Sequence, residues 1–323
     1  MTSIESIVVL IPVLDDWQAM SLLIPRLAAA LRPVAVRAGL LIVDDGSTES
    51  AAEGLAQARR DGFDWVRVLR LRRNLGHQRA IAVGLCYVDE HLECDAVVVM
   101  DGDGEDQPED VGRLVARARA EPGAPIVFAE RQRRVEGLTF RAFYMLYRML
   151  HRPLTGRSVK VGNFSLVPRV RLQTLTVVSE LWIHYAASVL RSRQPTCGVP
   201  VNRGRRLDGR SRMNFVSLVV HGLSAISVYS DVVFTRLVMA TALLATFGVI
   251  GLVVLLSLKL GKTYDVPSWA PIAAAFLLLV LIQAGTFIAS LVFVVLGTRQ
   301  QSAIIPRRDY GYYISGVSEL DAA

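Results

Sequence analysis

The sequence predicts an α/β domain with a mostly parallel sheet, followed by two membrane-crossing helices, and three observations carry that prediction. Short continuous apolar runs alternate with helix-period segments over the first 130 residues. Two long stretches, 237–258 and 266–298, contain no charged residue. Between these regions, residues 131–212 hold 17 Lys+Arg against 3 Asp+Glu. With 52% hydrophobic and 20% charged residues, the chain is excluded from the disordered class.

The elements follow in order. SIVVLIPV (6–13) is an unbroken apolar run, as expected of a strand covered on both faces. Residues 16–31 have helical spacing, and LLIVDDGS (40–47) is a second apolar strand ending in carboxylates and a turn. A helix is predicted over 49–60, a strand over 65–71, a helix over 77–91 and a strand over 95–103. A helix over 108–120 and a strand over 124–130 complete the alternation. Ligands of such sheets bind beyond the strand C-termini, and both carboxylate clusters, Asp44/Asp45 and Asp101/Asp103, fall there.

Residues 138–150 and 214–229 are amphipathic and suit the bilayer surface. The uncharged stretches exceed the roughly 20 residues that cross a bilayer core of about 30 Å. Arg236 precedes the first, while Arg299, Arg307 and Arg308 follow the second. The connecting loop carries Lys259, Lys262 and Asp265, with Tyr264 and Trp269 suited to the interface. The outer flanks are therefore expected in the cytosol. MTSIESIVVLIPV lacks a basic n-region and carries Glu5, so no signal peptide is expected. The predicted organisation is a cytosolic domain over 1–213, an amphipathic interfacial helix over 214–235, a transmembrane hairpin over 236–298 and a cytosolic tail over 299–323. Within the tail, the aromatics of 304–315 suit a strand that pairs with a neighbouring subunit or returns to the domain. Cys86, Cys94 and Cys197 lack disulfide-framework or metal-site spacing and are expected as reduced thiols.

Charge is segregated. Residues 1–130 hold 13 Lys+Arg against 21 Asp+Glu, so the chain's net +7 comes from the middle block. Such a block needs an anionic partner: lipid head groups or a phosphorylated substrate. Nucleic acid is disfavoured, because membrane spans follow the block. Asp101-Gly-Asp103-Gly-Glu105 places three acidic side chains at alternate positions beyond a strand. Hard oxygen ligands there suit Mg2+ or Mn2+ shared with a diphosphate, and the glycines let a bulky substrate approach the backbone.

The ordered set VVLIPV, LLIVDDGSTES, RNLGHQRAIAVGL, VVVMDGDGEDQPED, VGNFSLVPR and Arg206-Leu-Asp-Gly-Arg-Ser-Arg212 resembles inverting glycosyltransferase family two. Within it, the chain is similar to the polyisoprenyl-phosphate glycosyltransferases, the dolichol-phosphate mannose synthase-like group. The resemblance covers nearly the whole chain. It implies a GT-A (Rossmann-like) fold and metal-dependent transfer from a UDP- or GDP-sugar to a polyprenyl phosphate, such as undecaprenyl phosphate, at the cytosolic face of the cell membrane. Alternatives are a transferase acting on another membrane lipid or a polysaccharide, and a catalytically silent nucleotide-sugar-binding protein. Processive polysaccharide synthases usually carry Q-x-x-R-W, which does not occur here.

The resemblance also implies roles. Asp44 and Asp45 would hold base and ribose, with Pro12 and Asp15 beside the donor. Asp101 and Asp103, with Gly102 between them, would bind donor and metal, and Glu105 stands where the family has Gln as a further ligand. Arg206 and Arg212 would contact the donor diphosphate; Asp103 and Arg206 would take part in catalysis. Arg131 and Arg141 would hold the acceptor phosphate. Three departures stand out: Pro12-Val-Leu-Asp15-Asp16 replaces PVYNE, Asn163 replaces the Asp of GDFRL, and 179–185 differs from the usual segment. An amide cannot act as a general base. A phosphate acceptor needs none, because its second pKa near about 6 leaves it ionised at neutral pH. His184 is expected to be a packed structural histidine. A homo-oligomer is compatible with the sequence.

Overall fold

The computed structural model describes residues 4–51, 55, 62–131, 153–156, 161–208, 215–261, 268–300 and 303–320. They fall into two compact units, one built from the N-terminal region up to residue 147, residues 158–228 and the tail from residue 304, the other from residues 148–157 and 229–303.

The first unit contains β1 (Ser6–Val13), α1 (Trp17–Leu31), β2 (Arg37–Asp44), β3 (Trp65–Leu71), α2 (His77–His91), β4 (Ala96–Val99), α3 (Glu109–Ala120) and β5 (Ile126–Arg131). After these come β6 (Ser165–Pro168), α4 (Arg169–Leu175), α5 (Tyr185–Arg191), β7 (Thr196–Val201), α6 (Phe215–Ser227), a short α9 (Pro306–Asp309) and β8 (Ile314–Glu319). Among the described residues the strands form one sheet in the order β7-β5-β6-β4-β1-β2-β3-β8. The block β4-β1-β2-β3 is parallel throughout. The β5–β7 pair is also parallel, whereas β6 runs antiparallel to both neighbours and β8 antiparallel to β3. The sheet is thus mixed, with its parallel part in the region where apolar runs and helices alternate.

Strands β1 and β2 are buried along almost their whole length because helices cover both faces. On one face Trp17, Met20, Leu23, Ile24 and Leu27 of α1 pack with Val111, Leu114 and Val115 of α3. On the other, Ile81, Leu85 and Val88 of α2 lie against Leu10, Leu41 and Val97. Pro12 sits past Leu10–Val99, the last β1–β4 pair, so its missing N–H falls where that ladder has ended. Predicted strand 95–103 stops at Val99, which frees the 101–105 segment to turn. Segments 138–150 and most of 49–60 lie outside the described residues.

The tail strand β8 adds to the β3 edge, registering Arg67 with Glu319 and Leu69 with Val317. Before it, Arg307 meets buried Asp89 at 3.3 Å and Glu90 at 3.3 Å, and Tyr310 Oη donates to Glu90 at 2.7 Å. All of these fasten the tail to the C-terminal end of α2.

In the second unit, α7 (Ser230–Gly261) and α8 (Ala270–Gln300) are long and apolar enough to cross a membrane. They run antiparallel: a Cβ at Gly248 would lie 3.2 Å from Leu281, and one at Gly251 would lie 3.4 Å from Leu277. Thr241, Thr246 and Ser290 donate their hydroxyls to carbonyls one turn back, satisfying polar groups inside apolar helices. Leu244, Phe247, Phe276 and Phe293 stay exposed on the outer surface of the pair.

Candidate functional site

The site is assembled at the C-terminal ends of β1, β2 and β4. Two loops tie the β1 and β2 ends together. Asp15 adopts a left-handed conformation (φ 48°), and its Oδ1 accepts the Thr48 N–H at 2.7 Å. Its own N–H donates to Ser47 Oγ at 2.9 Å. Asp44 is buried, accepts the Ser47 N–H at 2.8 Å and lies 3.4 Å from Arg70. Both Asp45 oxygens are engaged, one by Leu75 N–H at 2.7 Å and the other by Gly76 N–H at 2.9 Å. Burial raises the Asp45 carboxyl above its ordinary range, and those two donors oppose the shift. Asp45 therefore anchors the turn that starts α2, where Gly76 takes φ 92°.

That anchor delivers His77 and Gln78, the first residues of α2, to the acidic turn. His77 Nε2 lies 3.1 Å from Asp101 Oδ1. Burial pulls the His77 imidazole down, but Asp101, followed by Asp45 and Asp103, outweighs it and raises the group. Asp101 is held below its ordinary range: burial works against this, and His77, Arg131 and Asn163 prevail. Burial raises Asp103, with Asp101 and Glu105 adding to the shift.

The turn is braced from two directions. Asp106 accepts the Asp101 N–H at 3.0 Å and the Arg131 guanidinium at 3.0 Å. Burial and the neighbouring Asp101 push Asp106 up to about 7. On the other side, residues 203–207 are laid along the turn. Leu207 N–H donates to the Asp103 carbonyl at 2.9 Å and Gly204 N–H to the Glu105 carbonyl at 2.8 Å. Leu207 covers Gly104 (φ 81°), where a Cβ would come within 2.4 Å of it. Arg206 bridges Asp103 at 3.2 Å and Asp16 at 3.0 Å. Glu105 pairs with Arg203.

The structure thus brings Asp101, Gly102, Asp103 and Arg206 together, with Arg131 behind them. Pro12, Asp15, Asp44 and Asp45 form the adjacent β1–β2 rim. Arg141 and Arg212 lie outside the described residues. Glu105 pairs with Arg203, and among the described residues no cluster of three metal-binding side chains is assembled. The pair Asp101–Asp103 offers a divalent cation two hard carboxylates, and Asp101 Oδ1, buried 3.1 Å from His77 Nε2, is in no hydrogen bond.

Sequence reasoning missed the roles of His77, Gln78, Asp16, Arg203 and Asp106. The GHQ motif and the acidic run around 106 were visible, but their contacts depend on chain folding. His184 caps α5, accepting the Ala187 N–H at 3.3 Å, and meets His221 of α6 at 3.2 Å.

The fold defines a class: a GT-A-like domain with an acidic turn and attendant arginines beyond the central strands. Residues 25–176 match the model described as Glycosyl transferase family 2. Relatives from Salmonella dublin and Salmonella gallinarum, both undecaprenyl-phosphate 4-deoxy-4-formamido-L-arabinose transferases, are 26% identical over 275 residues, covering 83% of this chain and 80% of each relative. Among solved structures, glucosyl-3-phosphoglycerate synthase from Mycobacterium tuberculosis, in complex with Mn2+, uridine diphosphate and phosphoglyceric acid, has the same fold. Its TM-score is 0.52 at 17% identity, covering 71% of this chain and 78% of that one.

Proposed function

We propose that the protein transfers a sugar, with inversion, from a nucleotide-sugar donor to a polyprenyl phosphate such as undecaprenyl phosphate. The reaction takes place at the cytosolic face of the cell membrane, where the product serves envelope glycoconjugate synthesis. The observation that carries this reading is the 101–105 turn with Arg206 on Asp103, in a chain that continues into two helices of membrane-spanning length. That the Salmonella relatives are undecaprenyl-phosphate transferases supports the choice of lipid acceptor.

Mg2+ or Mn2+ held by Asp101 and Asp103 would neutralise charge on the departing nucleoside diphosphate. Arg206, 3.2 Å from Asp103, binds that diphosphate and stabilises it as it leaves. Asp15, Asp44 and Asp45 shape the rim that receives base and ribose. Arg131, steadied by Asp106, presents a cation for the acceptor phosphate, a role shared with Arg141. The phosphate oxygen attacks the anomeric carbon directly; with a second pKa near about 6 it is already ionised. Positioning then accounts for much of the rate. A long isoprenoid leaves the bilayer at about 0.8 kcal/mol per exposed CH2, so the site must work at the membrane surface. Val216, Val220 and Leu223 form an exposed stripe on α6 suited to lie against lipid.

The test is transfer by the purified chain in detergent, using radiolabelled UDP- and GDP-sugars with undecaprenyl phosphate and Mn2+, the product lipid being read by mass spectrometry. One donor should label the phosphorylated lipid, while dephosphorylated polyprenol stays inert. Equal labelling of the alcohol, or no labelling with any donor, would refute the reading.

A further inference from the structure

We propose that Asn163 is a positioning residue whose side-chain amide, oriented by Gln78, fixes His77 and the Asp101 carboxylate at the acidic turn. The inference rests on the reading of that turn as the donor and metal site. The orientation follows from donor and acceptor chemistry. Tyr185 N–H donates to Gln78 Oε1 at 2.7 Å, and only the oxygen of an amide accepts, so the Gln78 NH2 points the other way. That NH2 lies 3.3 Å from Asn163 Oδ1, which turns the Asn163 NH2 toward His77 Nε2, 3.0 Å away. The same ring nitrogen stands 3.1 Å from Asp101 Oδ1, so amide, imidazole and carboxylate meet at one point. Ser165, fully buried, donates to the Asn163 carbonyl at 2.8 Å and meets the Tyr185 hydroxyl at 2.7 Å, so the backbone at 163 is held as well.

Order therefore passes from a backbone N–H on α5, through two amides, to the first carboxylate of the turn. A carboxylate at 163 would have no N–H to offer and would set acceptor against acceptor at Asp101. Position 163 carries an organising donor, and the absence of a base there is consistent with an acceptor that is already anionic.

Two variants separate this role from simple packing. Asn163→Leu keeps the volume and removes the amide. Gln78→Glu keeps the oxygen that Tyr185 needs but places an acceptor against Asn163, turning its amide round while Asn163 stays intact. Mn2+ alone is titrated into the full chain in detergent and followed by electron paramagnetic resonance, and kcat is measured at saturating donor. Each variant should lose about tenfold or more in kcat and weaken Mn2+ binding several-fold, the scale of a lost hydrogen bond to a charged group. The double variant should be no worse than Asn163→Leu, because Gln78 acts through Asn163. Asn163→Asp should turn over more slowly than the parent.

Parental kcat and Mn2+ affinity in both single variants, additive losses in the double, or an Asn163→Asp enzyme faster than the parent would each overturn the proposal. A parent that neither transfers sugar nor binds Mn2+ removes the functional reading and this inference together. An active parent with unaffected variants removes this inference alone.

Discussion

Asp101 and Asp103 differ in their surroundings, and that difference makes separate predictions for them. Asp101 turns its buried Oδ1 to His77 Nε2 at 3.1 Å, whereas Asp103 is bridged by Arg206. Replacing either with Asn should lower sugar transfer at least about 100-fold, the scale on which charge stabilisation at a leaving group operates. Retained turnover in both variants would remove the metal assignment. Arg206→Lys keeps the charge but cannot span Asp103 and Asp16 with one planar fork, so it should fall between the parent and Arg206→Ala in kcat. Asp45 should behave differently. Asp45→Asn sets an NH2 against one of two backbone N–H groups in a buried turn and should cost about 1–3 kcal/mol of stability, read as a lower melting temperature. Carboxylate-rich strand ends were legible in the sequence, because they interrupt apolar runs. Their division of labour was not: two of the four, Asp44 and Asp45, are largely occupied by N–H donors of their own and a neighbouring loop, contacts that exist only after β2 and α2 are packed.

At the scale of elements, α2 was read with its observed bounds, because an apolar helical period begins after Gly76 and runs unbroken to His91. The same logic found β1, β3 and α3. It missed β6 and β7 and set the tail strand β8 too early; these are four to six residues long, and β6 and β8 are held by antiparallel pairing with strands distant in sequence. Short non-local strands leave little periodic signal. The tail is the clearest case: its strand covers residues 314–319, later than the aromatic run suggested, and lies against β3 of its own chain. Deleting 304–323 would bare the β3 edge and leave buried Asp89 without Arg307. The truncated protein should melt at a lower temperature and self-associate in detergent, measured by light scattering. Arg307→Ala alone should cost about 1 kcal/mol, since Arg307 is partly exposed and Asp89 keeps the Thr176 hydroxyl at 3.0 Å.

At the scale of the whole molecule, two apolar helices interrupt a single sheet. Because β8 pairs with β3, the segments before and after the helix pair lie on one side of any bilayer that both helices cross. Tags placed at the two ends should therefore be digested together by protease added to inverted membrane vesicles, and be protected together in right-side-out ones; opposite behaviour of the two would rule out a two-span hairpin. The basic block at 131–212 and the uncharged stretches were visible in the sequence as composition. That the chain returns to close its own sheet was open, since a strand can pair with a neighbour as easily as with itself. That return also has a consequence for biogenesis. Strand β8 emerges from the ribosome some 250 residues after its partner β3, when both hydrophobic helices have been made. Loop closure over such a distance adds only slowly to the entropic cost, so the late closure is thermodynamically tolerable. A polypeptide in which β8 does not reach β3 keeps an unpaired sheet edge, a template for association with other chains.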